Sequence, residues 1–145
     1  QNNISIFISG FFFGGVFEYL CSVFTEVFFG MKFWDYSYMP FNIDGRTNLL
    51  FMFFWGIVAL IWFRFVYPPL SKTIEKIPPV TGTVLAAIIT VFFICNGIVT
   101  SMVMIRTTDR KKHPEARNVI EQFIDDEYSN EVVRKLWPNM DFLEN

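Results

Sequence analysis

The sequence predicts an all-α polytopic membrane protein, with three transmembrane helices and a short helical tail in water. Two observations carry that prediction. The 145 residues are 52% hydrophobic and only 18% charged, whereas a soluble domain carries nearer a quarter charged residues. The charges are also unevenly placed: residues 106–145 hold 16 of the 26, leaving ten for the first 105. One small soluble core has no means of hiding that apolar length. Residues 1–105 therefore read as the transmembrane region and 106–145 as a cytoplasmic tail.

The first span is placed over Ile4–Phe29, interrupted only by Glu18 and Glu26. A helix rises about 1.5 Å per residue and the hydrocarbon core is about 30 Å thick, so this run is long enough to tilt or project beyond the lipid. No basic stretch precedes it and no small-residue cleavage site follows, so it does not read as a signal peptide. The chain opens with Gln1 rather than Met, which reads as a piece of a longer protein.

The connector Met31–Asn48 is rich in Trp and Tyr, residues that favour the headgroup zone, and Asp44-Gly45 is a turn signal. It reads either as an interfacial connector or as a folded loop that lines a path or docks a partner.

The second span is placed over Leu49–Tyr67, ended by Pro68-Pro69. A short interfacial helix over Leu70–Lys76 then precedes Pro78-Pro79 and the third span, Val84–Ile105, which has no charge. Arg64, three residues before Tyr67, is placed to snorkel to the headgroups. Orientation follows from Lys and Arg near the span ends. Lys32, Arg46, Arg106, Arg110, Lys111 and Lys112 lie on one side, against Arg64, Lys72 and Lys76 on the other. The positive-inside tendency puts the tail and the first connector in the cytoplasm.

In the tail, Ala116, Val119, Ile120, Phe123 and Ile124 recur at helical spacing, so a helix is expected from Pro114 to Tyr128. A second is expected over Asn130–Trp137, capped by Ser129 and stopped by Pro138. Glu115–Tyr128 carries one Arg against five acids. An anionic leaflet repels that charge, so the apolar face is expected to meet protein rather than lipid.

Composition removes several function classes. A net charge of −2 argues against nucleic-acid binding. The single histidine, His113, excludes a poly-His metal site and disfavours a Ser-His-Asp catalyst. Cys21 and Cys95 lie in separate apolar runs and read as packing thiols. There is no GxxxxGK loop, so the chain is not itself an ATP-hydrolysing subunit. No metal or cofactor is expected.

Within the spans, the residues that demand an explanation are ionisable or strongly polar. Gly10, Gly14, Glu18, Ser22 and Glu26 recur every four residues as a slowly winding stripe. Gly10-x-x-x-Gly14 admits a close neighbouring helix, and Ser22 can bond across such a contact. Glu18 at membrane depth is a functional candidate, Glu26 a weaker one nearer the interface. Asn96 and Thr100 share a face of the third span. The first and third spans run the same way, which puts Glu18 about 21 Å below Ile4 and Asn96 and Thr100 about 18–24 Å below Val84 and makes these the expected partners of Glu18; Arg64, on the oppositely directed second span, falls near the outer surface and is excluded. In the loop, Trp34, Asp35, Tyr36, Asn42 and Arg46 are the candidates.

Taken together, Glu18-Tyr19, Glu26, Phe29-Gly30, Trp34-Asp35-Tyr36-Ser37, Pro40-Phe41-Asn42, Gly45-Arg46, Trp55-Gly56 and Pro68 resemble the type IV ABC-transporter permease family of bacterial multi-pass membrane proteins. The resemblance covers roughly Phe17–Pro79. It implies transport, a bacterial inner membrane and a separate ATPase subunit or other membrane subunit, but supplies no substrate and no catalytic residue. Members also carry an amino-terminal membrane region with an Asn-Arg-Gly and Leu-Tyr-Gly-Pro loop, which this sequence lacks. The leading expectation is a permease-like or accessory subunit of a transport system, with a homo-oligomer as a further option. The alternative is a non-transport adaptor that recruits partners through its aromatic loop and tail. An intramembrane enzyme using Glu18 and Glu26 ranks last, for want of a nucleophile or metal cluster.

Overall fold

The computed structural model describes residues 2–142, so the last three residues of the tail lie outside the described part. The chain is overwhelmingly helical. Helix α1 covers Asn3–Phe29 and α2 covers Leu49–Ile61. A π-helical turn, Trp62–Val66, joins α2 to α3, Tyr67–Ile74. Helix α4 covers Pro79–Asp109, α5 Val119–Glu127 and α6 Asn130–Leu136. Among the described residues, four two-residue strands form two antiparallel pairs: β1 (Met31–Lys32) with β4 (Asp141–Phe142), and β2 (Asn42–Ile43) with β3 (Thr47–Asn48). Among the described residues, three helical stretches are long and apolar enough to cross a membrane: Asn3–Phe29, Leu49–Ile74 and Pro79–Asp109. Their large side chains are widely exposed, Phe13 at 76% and Phe65 at 73% among them. Lipid is the medium that makes such a surface stable.

The second span is longer than its prolines suggest. Helical structure does not stop at Tyr67 but continues to Ile74. Pro68 and Pro69 have no N–H to give and their rings clash with the carbonyls of a regular turn. The π turn removes the conflict: the Tyr67 N–H reaches back five residues to the Trp62 carbonyl, and the prolines open the next helical segment, where free N–H groups are expected anyway. Pro79 plays the matching part at the first position of α4, which starts five residues ahead of the expected span.

Two compact units divide the chain, and the division falls within α1 and α4. One comprises Gln1–Cys21 with Tyr36–Val91, the other Ser22–Asp35 with Phe92–Asn145. In the first, α1 and α2 pack antiparallel through glycine. A Cβ added at Gly10 would stand 2.4 Å from the Ala59 Cβ, and one at Gly14 equally close to Trp55. Gly15 faces Met52, and Gly56 returns the favour by admitting the Phe7 ring. The glycine pair read from the sequence thus meets α2. Such close approach is how membrane helices gain packing energy without a hydrophobic effect between them.

In the second unit a small core gathers Met31, Val103, Met104, Ile124, Val133 and Met140, with Phe29, Tyr128 and Trp137 packed against it. The tail therefore folds onto the last turns of α4 and the segment after α1, where Thr108 donates to the Phe29 carbonyl at 2.8 Å. Ser129 caps α6 as expected. Helix α5 starts at Val119, five residues later than the stripe suggests. Asn118 is its true cap: its Oδ1 accepts from the Glu121 N–H at 2.9 Å while its Nδ2 donates to Glu121 at 3.0 Å. Pro114 stays outside the helix, where its carbonyl and that of His113 accept from Arg106. Only Ile124 of the stripe is buried; Val119, Ile120 and Phe123 remain exposed.

Candidate functional site

Glu18 lies one turn beyond Gly14 on α1, at the level where α2 begins. The Thr47 hydroxyl, directly before the α2 cap, donates to Glu18 Oε2 at 2.7 Å, and the Tyr36 hydroxyl donates to Oε1 at 3.0 Å. Both carboxylate oxygens are thus taken by the connector.

The connector is a folded loop, and its own bonds explain why it holds that position. Tyr36 stacks on Phe51 with ring centroids 4.6 Å apart, and its N–H donates to the Gly45 carbonyl at 2.8 Å. Asp44 and Gly45 both have positive φ, 53° and 66°, as a tight hairpin between β2 and β3 requires. Asn42 closes the turn from inside, donating to the Met39 carbonyl at 2.7 Å and accepting from the Gly45 N–H at 2.9 Å. Asn48 is buried, donates to the Pro40 carbonyl at 2.6 Å and caps α2 by accepting from the Leu50 N–H at 2.7 Å. Outside this frame the Tyr19 hydroxyl donates to Asp44 at 2.8 Å, and the Arg46 guanidinium lies 5.8 Å from the Tyr19 ring centroid. Burial and the neighbouring Glu18 carboxylate push the Tyr36 phenol well above its usual range, so it stays a donor.

Arg64 is remote from Glu18 and donates from Nε to Asn3 Oδ1 at 2.8 Å, at the other end of α1. Tyr36 and Thr47, in the same unit as Glu18, supply bonds to its carboxylate that the spans alone do not suggest. The folded connector brings these two hydroxyls to the height of Glu18. Asn96 and Thr100 line a cleft of about 410 Å³ in the second unit, with Phe92, Val99, Tyr128 and Trp137. Ser22 is buried and Glu26 half-buried in that unit, where Trp34 and Asp35 also belong.

The family model described as Putative ABC-transporter type IV matches residues 1–101. The chain belongs to this family. The match extends on both sides of the Phe17–Pro79 stretch and takes in the whole Glu18 cluster of this ABC-transporter-related membrane protein. No curated protein and no solved structure matches the chain.

Beyond residue 101, sequence reasoning missed a second polar centre. In the sequence Arg106 reads as one of the charges that follow the third span, yet it is 3% exposed. It donates twice to Asp125, at 3.0 and 2.6 Å, and lies near Asp109 and Glu121 at 3.4 and 3.7 Å. Arg110 shares Asp125, and Arg117 bridges Asp109 and Glu121. Arg106, with Arg110 beside it, holds the Asp125 carboxyl below its ordinary range; the Arg117 N–H and guanidinium do the same for Glu121.

Proposed function

We propose that this chain is a permease-like subunit of a transport system in a bacterial inner membrane, energised by a separate ATP-hydrolysing partner. The observation that carries the reading is the family match over residues 1–101, in a chain with no nucleotide-binding loop of its own. In this reading the glycine-packed α1–α2 pair, with Glu18 tying the connector to it, is a rigid element that moves as one piece. The carboxyl terminus lies in the cytoplasm, and the exposed Val119, Ile120 and Phe123 of α5, bordered by Asp126 and Glu127, form the docking surface for the ATPase.

Purification of the protein from native membranes tests this. An ATPase should come with it, and Phe123→Ser should release that ATPase while leaving thermal stability within about 0.5 kcal/mol of wild type, because Phe123 is 60% exposed. Ile124→Ser, at a buried position, should instead destabilise the tail by about 2 kcal/mol or more. An adaptor would yield partners without any ATPase. Single cysteines at Ser71 and Asn139, placed in a chain whose Cys21 and Cys95 are replaced by Ser, check the orientation. Ser71→Cys should label from outside intact cells and Asn139→Cys only after permeabilisation; the reverse pattern inverts the topology.

A further inference from the structure

Four side chains with uncharged polar groups, Asn96, Thr100, Tyr128 and Trp137, converge on the cleft of the second unit. None of the four has a side-chain hydrogen-bond partner among the described residues. The cleft has built walls. Asn96 and Thr100 stand one turn apart on one face of α4. Tyr128 and Trp137 cap the ends of α5 and α6, their backbone N–H groups bonded to the carbonyls of Ile124 and Val133. Both rings pack against the core that contains Val103 and Met104.

Depth makes the Asn96 amide matter. Asn96 lies nine residues before Ile105, about 14 Å along the helix from the end of the apolar run, inside a hydrocarbon layer about 30 Å thick. No water answers an amide there, so a molecule that supplies the bond gains by doing so. The lining also selects that molecule. No Asp, Glu, Lys, Arg or His borders the cleft, so a charged guest would be desolvated without a counter-ion. Phe92 and Val99 supply apolar wall, the Asn96 amide and the hydroxyls both donate and accept, and the indole N–H donates. The volume of about 410 Å³ lies toward the lower end of the range of small-molecule sites, about 300–1,000 Å³, and suits one chain rather than two. We propose that this cleft binds a neutral single-chain amphiphile, with its hydroxyl or carbonyl groups bonded by Asn96 and Thr100 and its chain laid along Phe92 and Val99. The site is built from the second unit alone and requires no transport activity.

The test places the full chain in phosphatidylcholine nanodiscs with monodecanoylglycerol that carries a photoactivatable diazirine in its chain, and maps the cross-links by mass spectrometry. Label should concentrate on residues 92–103 and 128–137. Unlabelled monodecanoylglycerol should compete it away, whereas decanoate and decyltrimethylammonium, with similar tails and charged heads, should not. Asn96→Leu should weaken that competition roughly fivefold and adding Thr100→Val roughly fivefold again, since each removes a neutral hydrogen bond. Asn96 is exposed, so Leu there should leave the melting temperature unchanged, and Thr100→Val serves alone if Asn96→Leu misfolds. Label spread evenly over the spans, or unaltered competition in the folded variants, overturns the site. Competition by decanoate as strong as by monodecanoylglycerol overturns the neutral assignment. Label on the other spans with none in the cleft would mean that protein fills it, which overturns the proposal equally.

Discussion

Arg106→Met should detach the tail while leaving the spans inserted. Arg106 is almost fully buried, with its guanidinium shared among Asp125, Asp109 and the carbonyls of His113 and Pro114. Removing one member of a buried charge cluster typically costs 3–5 kcal/mol, because the remaining charges lose their partner. Asp125 and Asp109 are each 24% exposed and keep Arg110 and Arg117, so the lower end, about 3 kcal/mol, is the expected loss. Arg106→Lys keeps the charge but not the two-pronged bond to Asp125 and should fall between. Limited proteolysis in detergent checks this: cleavage within residues 110–140 should accelerate in Arg106→Met, and insertion should be unchanged. Acid should imitate the mutation. The Asp125 and Glu121 carboxyls are held below their ordinary range in the folded tail, so their stabilisation is complete above the unfolded carboxyl range, about pH 4, and fades as pH falls through the depressed values. A tail equally resistant to protease at neutral and strongly acid pH would show that these pairs contribute nothing.

What the sequence made legible, and what it did not, divides along physical lines. Apolar length and the Gly10–Gly14 spacing are properties of single helices, so the spans and the α1 contact face could be read directly. Helix ends were harder where two signals competed. Pro114 and Asn118 are both helix-start residues, and the deciding feature was the reciprocal Asn118-x-x-Glu121 pair, visible in the sequence but outweighed by the apolar stripe. Pro68-Pro69 ends a regular helix; here a π turn absorbs it, an outcome that depends on cooperation among Trp62–Val66 and has no one-residue signature. Partners were the least legible. Glu18 stood out because an ionisable residue within an apolar run requires an answer, but the answer came from Thr47 and Tyr36, ordinary hydroxyls whose positions are fixed by the hairpin. Arg106 was hidden by its place at a span end, where an exposed cation is the ordinary expectation.

Glu18→Leu should loosen the connector from α1, and its conservative partner Glu18→Gln should not. Leu leaves the buried Thr47 hydroxyl and the Tyr36 phenol without their acceptor, and bonds to a charged group carry about 1.5–3 kcal/mol each. Glu18 itself is half-buried, so solvent can take over part of the loss; about 2–3 kcal/mol is the expected total. Gln keeps one oxygen acceptor and adds an amide donor that either hydroxyl can accept from, which limits the loss to about 1 kcal/mol. Tyr36→Phe preserves the stack on Phe51 and removes one bond, and Thr47→Val removes the other at almost the same volume. The two changes made together should therefore reproduce most of Glu18→Leu, and neither should add much to it, since all three act on one cluster. Thermal unfolding in detergent, with hydrogen exchange across residues 36–51 as the local readout, measures this. If the losses of Glu18→Leu and the double variant simply add, the bonds are not the link. A different result has a different meaning: Glu18→Gln that keeps full stability and local protection but abolishes transport would require the carboxylate itself, because the amide preserves the latch and lacks only the ability to carry a charge or exchange a proton.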